Sequence, residues 1–246
     1  MLSYLLLGLI QGVTEWLPIS SEGVVALASR LLQLEVSEVD AALFLHLGTM
    51  LAVLFYFRRD WGRLMRMENP RLMRFLILTT VISLAVGFPL YHLVKGAVIG
   101  PLLLVITGCG LLGTAWLHRM RRDRGWSFRR LTYLTGILQG VAVIPGFSRS
   151  GATIFSLSLG KLSPPQILKT SYMMSVPVVL ATSIYLVWQN PALLVQGWPA
   201  LITSFIFGLI TLRLLLKLSQ EISFAFWALI FAVLCFVGAF ISYIAL

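Results

Sequence analysis

The 246-residue chain has the composition of an integral membrane protein. Hydrophobic residues make up 59% and charged residues only 11% of it, whereas soluble domains have about 45–50% and about 25%. So few charges cannot cover the surface of a soluble domain of this length, which excludes a soluble fold. The formal charge of +10 comes mainly from basic loops between apolar segments, so no nucleic-acid partner is expected.

Six apolar segments are long enough to cross a bilayer as helices, which takes about 20 residues each. They lie at 41–58, 72–92, 98–118, 166–188, 198–217 and 222–246. Two further segments, 2–34 and 131–162, are interrupted near their centres by proline, serine and charge, and we interpret them as re-entrant helical hairpins. The sequence therefore predicts an all-α polytopic membrane protein with a single membrane domain over residues 1–246.

Arginine placement predicts the orientation of these helices. One loop carries Arg58, Arg59, Arg63, Arg66, Arg71 and Arg74, and another carries Arg119, Arg121, Arg122, Arg124, Arg129 and Arg130. Short loops rich in arginine stay in the cytoplasm. With six spans, the first hairpin then enters the membrane from outside and the second from inside. We expect a multi-pass protein of the cell membrane.

The chain contains an internal repeat. The run Gly-Leu-Ile-Gln-Gly-Val at 8–13 recurs as Gly-Ile-Leu-Gln-Gly-Val at 136–141, and a proline and two serines follow each copy. Three predicted spans come after each hairpin, so the halves 1–118 and 131–246 have the same order of elements in opposite orientation. Inverted repeats with broken helices at matching positions usually carry a site where the halves meet. We therefore expect function at the two hairpin tips.

Both tips carry residues suited to an anion site. They contain Gln11, Glu15, Ser20, Ser21 and Glu22 in the first hairpin, and Ser148, Arg149, Ser150 and Thr153 in the second. Helix N-termini and the planar arginine fork both bind phosphate oxygens. Glu15 and Glu22 could hold a divalent cation or act as a general base. The tips thus predict a phosphate or diphosphate site with acid–base capability.

Structural alternatives exist for several of these residues. The serines could only cap helices, and Glu15 and Arg149 could form a purely structural ion pair. Charged groups within membrane segments are costly, however, and are functional by default. His46, in the apolar segment 41–58, is either a proton carrier or a hydrogen-bonded structural histidine.

The tip motifs resemble those of a known family. Gln11-x-x-x-Glu15 followed by Leu-Pro-Ile-Ser-Ser at 17–21, and Pro-Gly-Phe-Ser-Arg-Ser-x-x-Thr at 145–153, are similar to the motifs of the bacitracin-resistance family of undecaprenyl-diphosphate phosphatases. The similarity extends along nearly the whole chain, including His-Leu-Gly-Thr at 46–49. The resemblance implies two re-entrant hairpins, six spans and an active site open to the outer face. It also implies removal of the terminal phosphate from a C55-type isoprenoid diphosphate, usually with Mg²⁺ or Ca²⁺.

The resemblance also implies roles for individual residues. Gln11 and Glu15 fall on the family's acidic motif, Ser20 and Ser21 on its paired serines, and Arg149 on its phosphate-binding arginine. We predict Glu15, Ser21, Glu22 and Arg149 as catalytic, and Gln11, Ser20, Ser148, Arg149, Ser150 and Thr153 as substrate-binding. Glu15 and Glu22 are the predicted metal ligands.

Two positions depart from the family pattern. The family usually continues Ser-Ser-Thr-Gly-His, whereas residues 20–24 read Ser-Ser-Glu-Gly-Val. Val24 therefore replaces a histidine often assigned as a catalytic acid, base or nucleophile, and valine can do none of these jobs. Glu22 stands where a small hydroxyl is usual, and it could supply the missing proton chemistry or change metal binding.

Two functional hypotheses follow. The leading one is hydrolysis of a polyprenyl diphosphate, with water or Ser21 as the nucleophile. Its rival is a transporter or flippase of a phosphorylated isoprenoid lipid, which would use the same anion site without bond cleavage. The expected partners are the lipid and the bilayer, and a homodimer is compatible with both hypotheses.

Overall fold

The computed structural model describes residues 1–16, 21–32, 38–97, 125–144, 147–160 and 162–218, with further residues inside 102–116 and 229–243. Nine helices can be delimited in these ranges. They are α1 (Leu2–Thr14), α2 (Ser21–Leu31), α3 (Glu38–Tyr56), α4 (Arg58–Met65), α5 (Pro70–Ala97), α6 (Phe128–Val141), α7 (Arg149–Ser158), α8 (Pro164–Gln189) and α9 (Ala192–Leu218). The described part of the chain contains no strand, as the composition predicts.

Within the described residues, three helices are long and apolar enough to cross a membrane. They provide the candidate spans Pro70–Val94, Pro165–Gln189 and Ala192–Lys217. Helices α3 and α4 form a fourth candidate that is bent by 78° at the break between them. The predicted span 41–58 corresponds to α3, which ends at Tyr56, and the arginine-rich α4 turns away from it. The chain is thus an all-helical, multi-pass membrane protein.

The other two predicted spans, 98–118 and 222–246, lie largely outside the described residues. Those of their residues that are described are helical. A Cβ atom added to Gly108 would lie 2.8 Å from the ring of Phe236, so the two segments touch.

Local sequence explains where the spanning helices begin. Proline occupies the first position of α5 and of α8, where the missing N–H group costs nothing. The Leu72 N–H donates to Asn69 Oδ1 at 3.0 Å before α5. At α8, Ser163 and Gln166 form a reciprocal capping box. The residues just before α5 and α8 therefore define where these two helices begin.

Each interrupted segment forms two helices with a break between them. Helix α1 ends at Thr14 and α2 begins at Ser21; α6 ends at Val141 and α7 begins at Arg149. Pro18 and Pro145, the residues predicted to cause the breaks, lie outside the described residues. The two helices of each pair contact one another. The breaks therefore fall where the sequence predicts them.

The repeated glycines allow the hairpins to pack closely against spanning helices. A Cβ atom at Gly12 of α1 would lie 2.7 Å from the backbone nitrogen of Gly208 in α9. One at Gly140 of α6 would lie 2.7 Å from the carbonyl oxygen of Ser83 in α5. Only glycine permits such an approach, and small residues favour close helix packing in membranes. The first hairpin thus lies on a helix of the second half, and the second hairpin on a helix of the first half.

Trp16 fixes the end of the first hairpin helix. Its indole Nε1 donates to the carbonyl oxygen of Gly208 at 2.8 Å. Its ring packs edge-on against Tyr172 of α8, with the ring centroids 5.1 Å apart. Trp16 is 1% exposed, so these contacts form in the core. They hold the end of α1, next to Glu15, against α8 and α9.

Candidate active site

Glu15 is the centre of a buried polar cluster. Gln11 Nε2 donates to Glu15 Oε2 at 2.7 Å, and Ser21 Oγ donates to the same oxygen at 2.9 Å. His46 Nε2 lies 3.1 Å from Oε2, and Arg149 Nη2 forms an ion pair with Oε1. These four partners come from α1, α2, α3 and α7. The two hairpin tips, 134 positions apart in the sequence, therefore meet at one carboxylate.

His46 reaches this cluster from the spanning helix α3. Its Nδ1 lies 2.7 Å from the carbonyl oxygen of Ala42, which can only accept a hydrogen bond, so Nδ1 carries a proton. Its Nε2 faces Glu15 and lies 3.8 Å from Glu22 Oε1. When Nε2 is also protonated, the imidazole forms an ion pair with these carboxylates. This contact makes His46 a candidate for proton transfer.

The placement of His46 is compatible with both roles that the sequence left open, a proton carrier and a hydrogen-bonded structural histidine. His46 is a member of the Glu15 cluster, although it was not among the predicted site residues. The available signals were a histidine inside an apolar span and its place in the run 46–49. Neither signal says which face of α3 the side chain occupies.

Serine and threonine residues organise the second tip around Arg149. Ser148 Oγ accepts the Gly151 N–H at 3.1 Å and so caps the start of α7. The same oxygen lies 3.2 Å from Ser150 Oγ. Thr153 Oγ1 donates to the carbonyl oxygen of Arg149 at 2.9 Å. These contacts fix the helix turn that carries the arginine.

Most predicted site residues meet around one small cavity of about 200 Å³. It is lined by Glu15, Ser21, Glu22, Phe147, Ser148, Arg149 and Ser150. Gln11 joins through its bond to Glu15. Thr153 is buried one turn along α7, with its hydroxyl 2.6 Å from Ser171 Oγ, and its substrate contact stays a prediction. Ser20 lies outside the described residues.

Arg149 has unused hydrogen-bonding capacity. Its Nη1 is buried and has no hydrogen-bond partner among the described residues. A guanidinium group offers five N–H donors, and leaving a buried one unpaired costs roughly 1–3 kcal/mol. An anionic oxygen would satisfy this nitrogen. The site is therefore prepared to bind an anion.

A larger cavity of about 730 Å³, a volume that includes space open to the surroundings, adjoins these charged groups. Glu22, His46 and Arg149 lie on its wall. Much of the remaining wall is apolar and comes from Leu43, Leu84, Phe88, Val143, Val178 and Val179. An anion-binding group thus stands beside a space suited to a hydrocarbon chain.

The two predicted metal ligands differ in their capacity for a cation. A carboxylate offers about four lone-pair positions, and Glu15 already has four partners, one of them cationic. Glu22 is different, because its closest ion-pair contact in the described ranges is His46 at 3.8 Å. No group of three or more histidine, cysteine, aspartate or glutamate ligands occurs in the described part. A divalent cation would therefore fit beside Glu22 only if a ligand's phosphate oxygens completed its shell, as Mg²⁺ sites commonly allow.

The sequence of this chain is similar to one family model and to several named proteins. The family model described as bacitracin resistance protein BacA matches residues 4–239. A protein named undecaprenyl-diphosphatase from Methanothrix thermoacetophila is 34% identical over 240 residues, covering 93% of each chain. A protein of that name from Haloarcula marismortui is 32% identical, and the match covers 91% of each chain. One from Methanococcoides burtonii is also 32% identical, and the match covers 96% of this chain and 97% of the relative. The chain therefore belongs to the bacitracin resistance protein BacA family, as its two tip motifs predict.

Proposed function

We propose that this protein hydrolyses an undecaprenyl-type polyprenyl diphosphate to the monophosphate carrier lipid at the membrane. The observation that carries the proposal is the Glu15–Arg149 pair, with Ser21 and His46 in contact, beside a largely apolar cavity of about 730 Å³. The names of the relatives agree with this reaction. A diphosphate headgroup and an isoprenoid chain are the two ligand parts that such a site accommodates.

Arg149 is the residue that binds the terminal phosphate. Its unpaired Nη1 provides a donor for a phosphate oxygen, and Ser148 and Ser150 lie on the same cavity wall. Fixed donors stabilise the charge that develops on a transferred phosphoryl group. A bound phosphate also competes with Glu15 for the guanidinium. Glu15 then loses part of its ion pair and becomes a better proton acceptor at the moment that substrate arrives.

Ser21 is placed to act as the nucleophile. Its hydroxyl donates to Glu15 at 2.9 Å, which is the geometry of a nucleophile and its base. In this route the Ser21 oxygen forms a bond to the terminal phosphorus, its proton passes to Glu15, and the phosphorus–bridging oxygen bond breaks. The lipid monophosphate leaves, and water hydrolyses the phosphoserine to inorganic phosphate. Direct attack by a water molecule that gives its proton to Glu15 is the alternative.

His46 does the proton chemistry that Val24 cannot do. Its Nε2 lies 3.1 Å from Glu15 and 3.8 Å from Glu22, and the ring lines the larger cavity. The protonated imidazole delivers its proton to the oxygen of the leaving group, which would otherwise depart with a full additional charge. Glu22 holds the imidazole from the other side. A histidine from α3 thus takes the place of the one that this family usually carries in α2.

A divalent cation, Mg²⁺ or Ca²⁺, remains a proposal for this site. Glu22 would hold it together with the phosphate oxygens of the substrate, while Glu15 stays bound to its four protein partners. When bound, the cation would neutralise phosphate charge. Glu15 would join as a ligand only after exchanging one of these partners.

The finer topology belongs to the same proposal. We expect six spans, re-entrant hairpins, and halves 1–118 and 131–246 related as an inverted repeat. The reciprocal packing of α1 on α9 and of α6 on α5 supports the repeat. The family resemblance implies that the site faces the outer side of the cell membrane, and we keep this as part of the proposal. The homodimer stays a prediction.

The test is phosphate release from farnesyl and undecaprenyl diphosphate by the purified protein, with Mg²⁺ and with a chelator. Arg149→Ala should lower the release about 10²–10³-fold, the usual effect of removing a transition-state donor. Arg59→Ala, which removes an exposed arginine at the start of α4, is the matched control and should leave the rate unchanged. A protein that binds lipid diphosphate through Arg149 but releases no phosphate would support the transporter instead.

A further inference from the structure

Gln139 is the second-repeat counterpart of Gln11, and it lies apart from the Glu15 cluster. The side chain is on α6 and is 5% exposed. Its Nε2 donates to Ser83 Oγ of α5 at 3.1 Å, and the Ser83 hydroxyl in turn donates to the Gly136 carbonyl oxygen at 3.0 Å. The nitrogen end of the carboxamide is therefore satisfied by the protein. The oxygen end is not.

Two buried atoms beside the larger cavity lack hydrogen-bond partners within the described ranges. They are Gln139 Oε1, an acceptor, and Arg149 Nη1, a donor. Both residues line the cavity of about 730 Å³, together with Glu22, His46 and Ser83. Buried polar groups in native proteins nearly always have partners, so each unpaired atom calls for a ligand or an ordered water. A single group that both accepts and donates hydrogen bonds would satisfy the two together.

We propose that Gln139, held by Ser83, forms a second polar subsite that binds the phosphate headgroup of the lipid in this cavity. Arg149 donates to an oxygen of the headgroup, and Gln139 Oε1 accepts from a phosphate hydroxyl or from a water that the phosphate holds. The subsite rests on the proposed function, because the substrate of that reaction is its ligand. It deepens that function by adding a headgroup contact from α6, beside the one that Arg149 makes from α7.

The chemistry of a carboxamide suits this role better than that of a carboxylate. Gln139 carries no charge, so it does not repel a phosphate. Rotation of the amide exchanges its ends, and Ser83 can then donate to the oxygen while the NH₂ group faces the ligand. Gln139 can thus bind a phosphate whether or not that phosphate carries a proton. The repeated glutamine has taken two roles: Gln11 orients Glu15, and Gln139 contacts the ligand.

The experiment measures equilibrium binding of farnesyl methylenediphosphonate, in which a CH₂ group replaces the bridging oxygen, to the full-length protein in detergent by calorimetry. Gln139→Leu removes both hydrogen-bonding ends and should weaken binding about 10-fold or more, as expected for a lost hydrogen bond to a charged group. The matched control is Ser183→Ala, which removes another buried and unpartnered polar atom but does not touch the cavity. It should change the affinity less than about twofold.

Gln139→Glu keeps the size of the side chain and provides the second variant if Gln139→Leu fails to fold. Its negative charge should also weaken binding, and the loss should shrink as salt is added. A folded variant of either kind that binds within about twofold of the wild type overturns the subsite. Because the analogue is not hydrolysed, this result is independent of phosphate release. Release by the wild type with unchanged binding in the variants would overturn the subsite alone.

Discussion

The two hairpin tips share a sequence repeat but contribute different chemistry. The first tip supplies a carboxylate and a hydroxyl, Glu15 and Ser21, which are groups that accept or transfer a proton. The second supplies Arg149 at the start of a helix capped by Ser148, which are groups that bind an anion. Neither tip could perform a phosphoryl transfer alone. The division of tasks between the tips thus rests on a few side chains at their breaks.

The largest expected effect comes from removing the charge of the first tip. Glu15→Gln keeps the size of the side chain but cannot accept a proton or balance Arg149, so phosphate release should fall about 10²–10⁴-fold. Release of phosphate from farnesyl diphosphate measures the effect. Glu68→Gln is the control, because Glu68 forms an exposed pair with Arg66 and should tolerate the change. A Glu15→Gln protein with more than a tenth of the wild-type rate would contradict a proton-transfer role for the first tip.

A smaller effect is expected when the imidazole is removed. His46→Gln retains a hydrogen-bonding side chain but cannot transfer a proton, so kcat should fall about 10²-fold while KM changes little. Adding Val24→His to this variant tests whether the family's usual position can take over. Partial recovery of kcat would support the view that a histidine at position 24 can carry out the proton transfer assigned to His46. The Glu22→Thr and Val24→His pair in the wild-type background should gain little, since His46 already occupies the site.

The sequence predicts those features of this molecule that follow from the order of residues along the chain, such as apolar spans and the charges within them. Hydropathy locates α5, α8 and α9 to within six residues at either end, because a span must be continuous and apolar. The Glu15–Arg149 encounter was also foreseeable, since charges within membrane segments need partners.

Features set by tertiary packing were not predictable in the same way. One such feature is the 78° bend between α3 and α4, where Lys169 Nζ of α8 contacts Asp60 Oδ1 of α4 at 2.5 Å. The entry of His46 into the site depends on which face of α3 meets the first hairpin. Hydrophobic periodicity cannot reveal that face in a helix that is apolar on all sides.

The smallest expected effect comes from the glycines that pack the two hairpins against spanning helices. Changing them should affect the stability of the protein and not the chemistry of its site. Gly12→Ala and Gly140→Ala each place a Cβ atom 2.7 Å from backbone atoms of a spanning helix, on α9 and α5 respectively. Overpacking of this kind typically destabilises by about 1–3 kcal/mol, so both variants should unfold at lower temperature in detergent. Gly62→Ala is the control, since nothing lies within 4 Å of the added atom and alanine favours a helix by roughly 0.5–1 kcal/mol. Similar losses of stability at Gly12 and Gly140 would mean that both hairpins pack equally closely against their spanning helices despite their different chemistry. A loss at only one of them would mean that the halves have diverged in their packing as well.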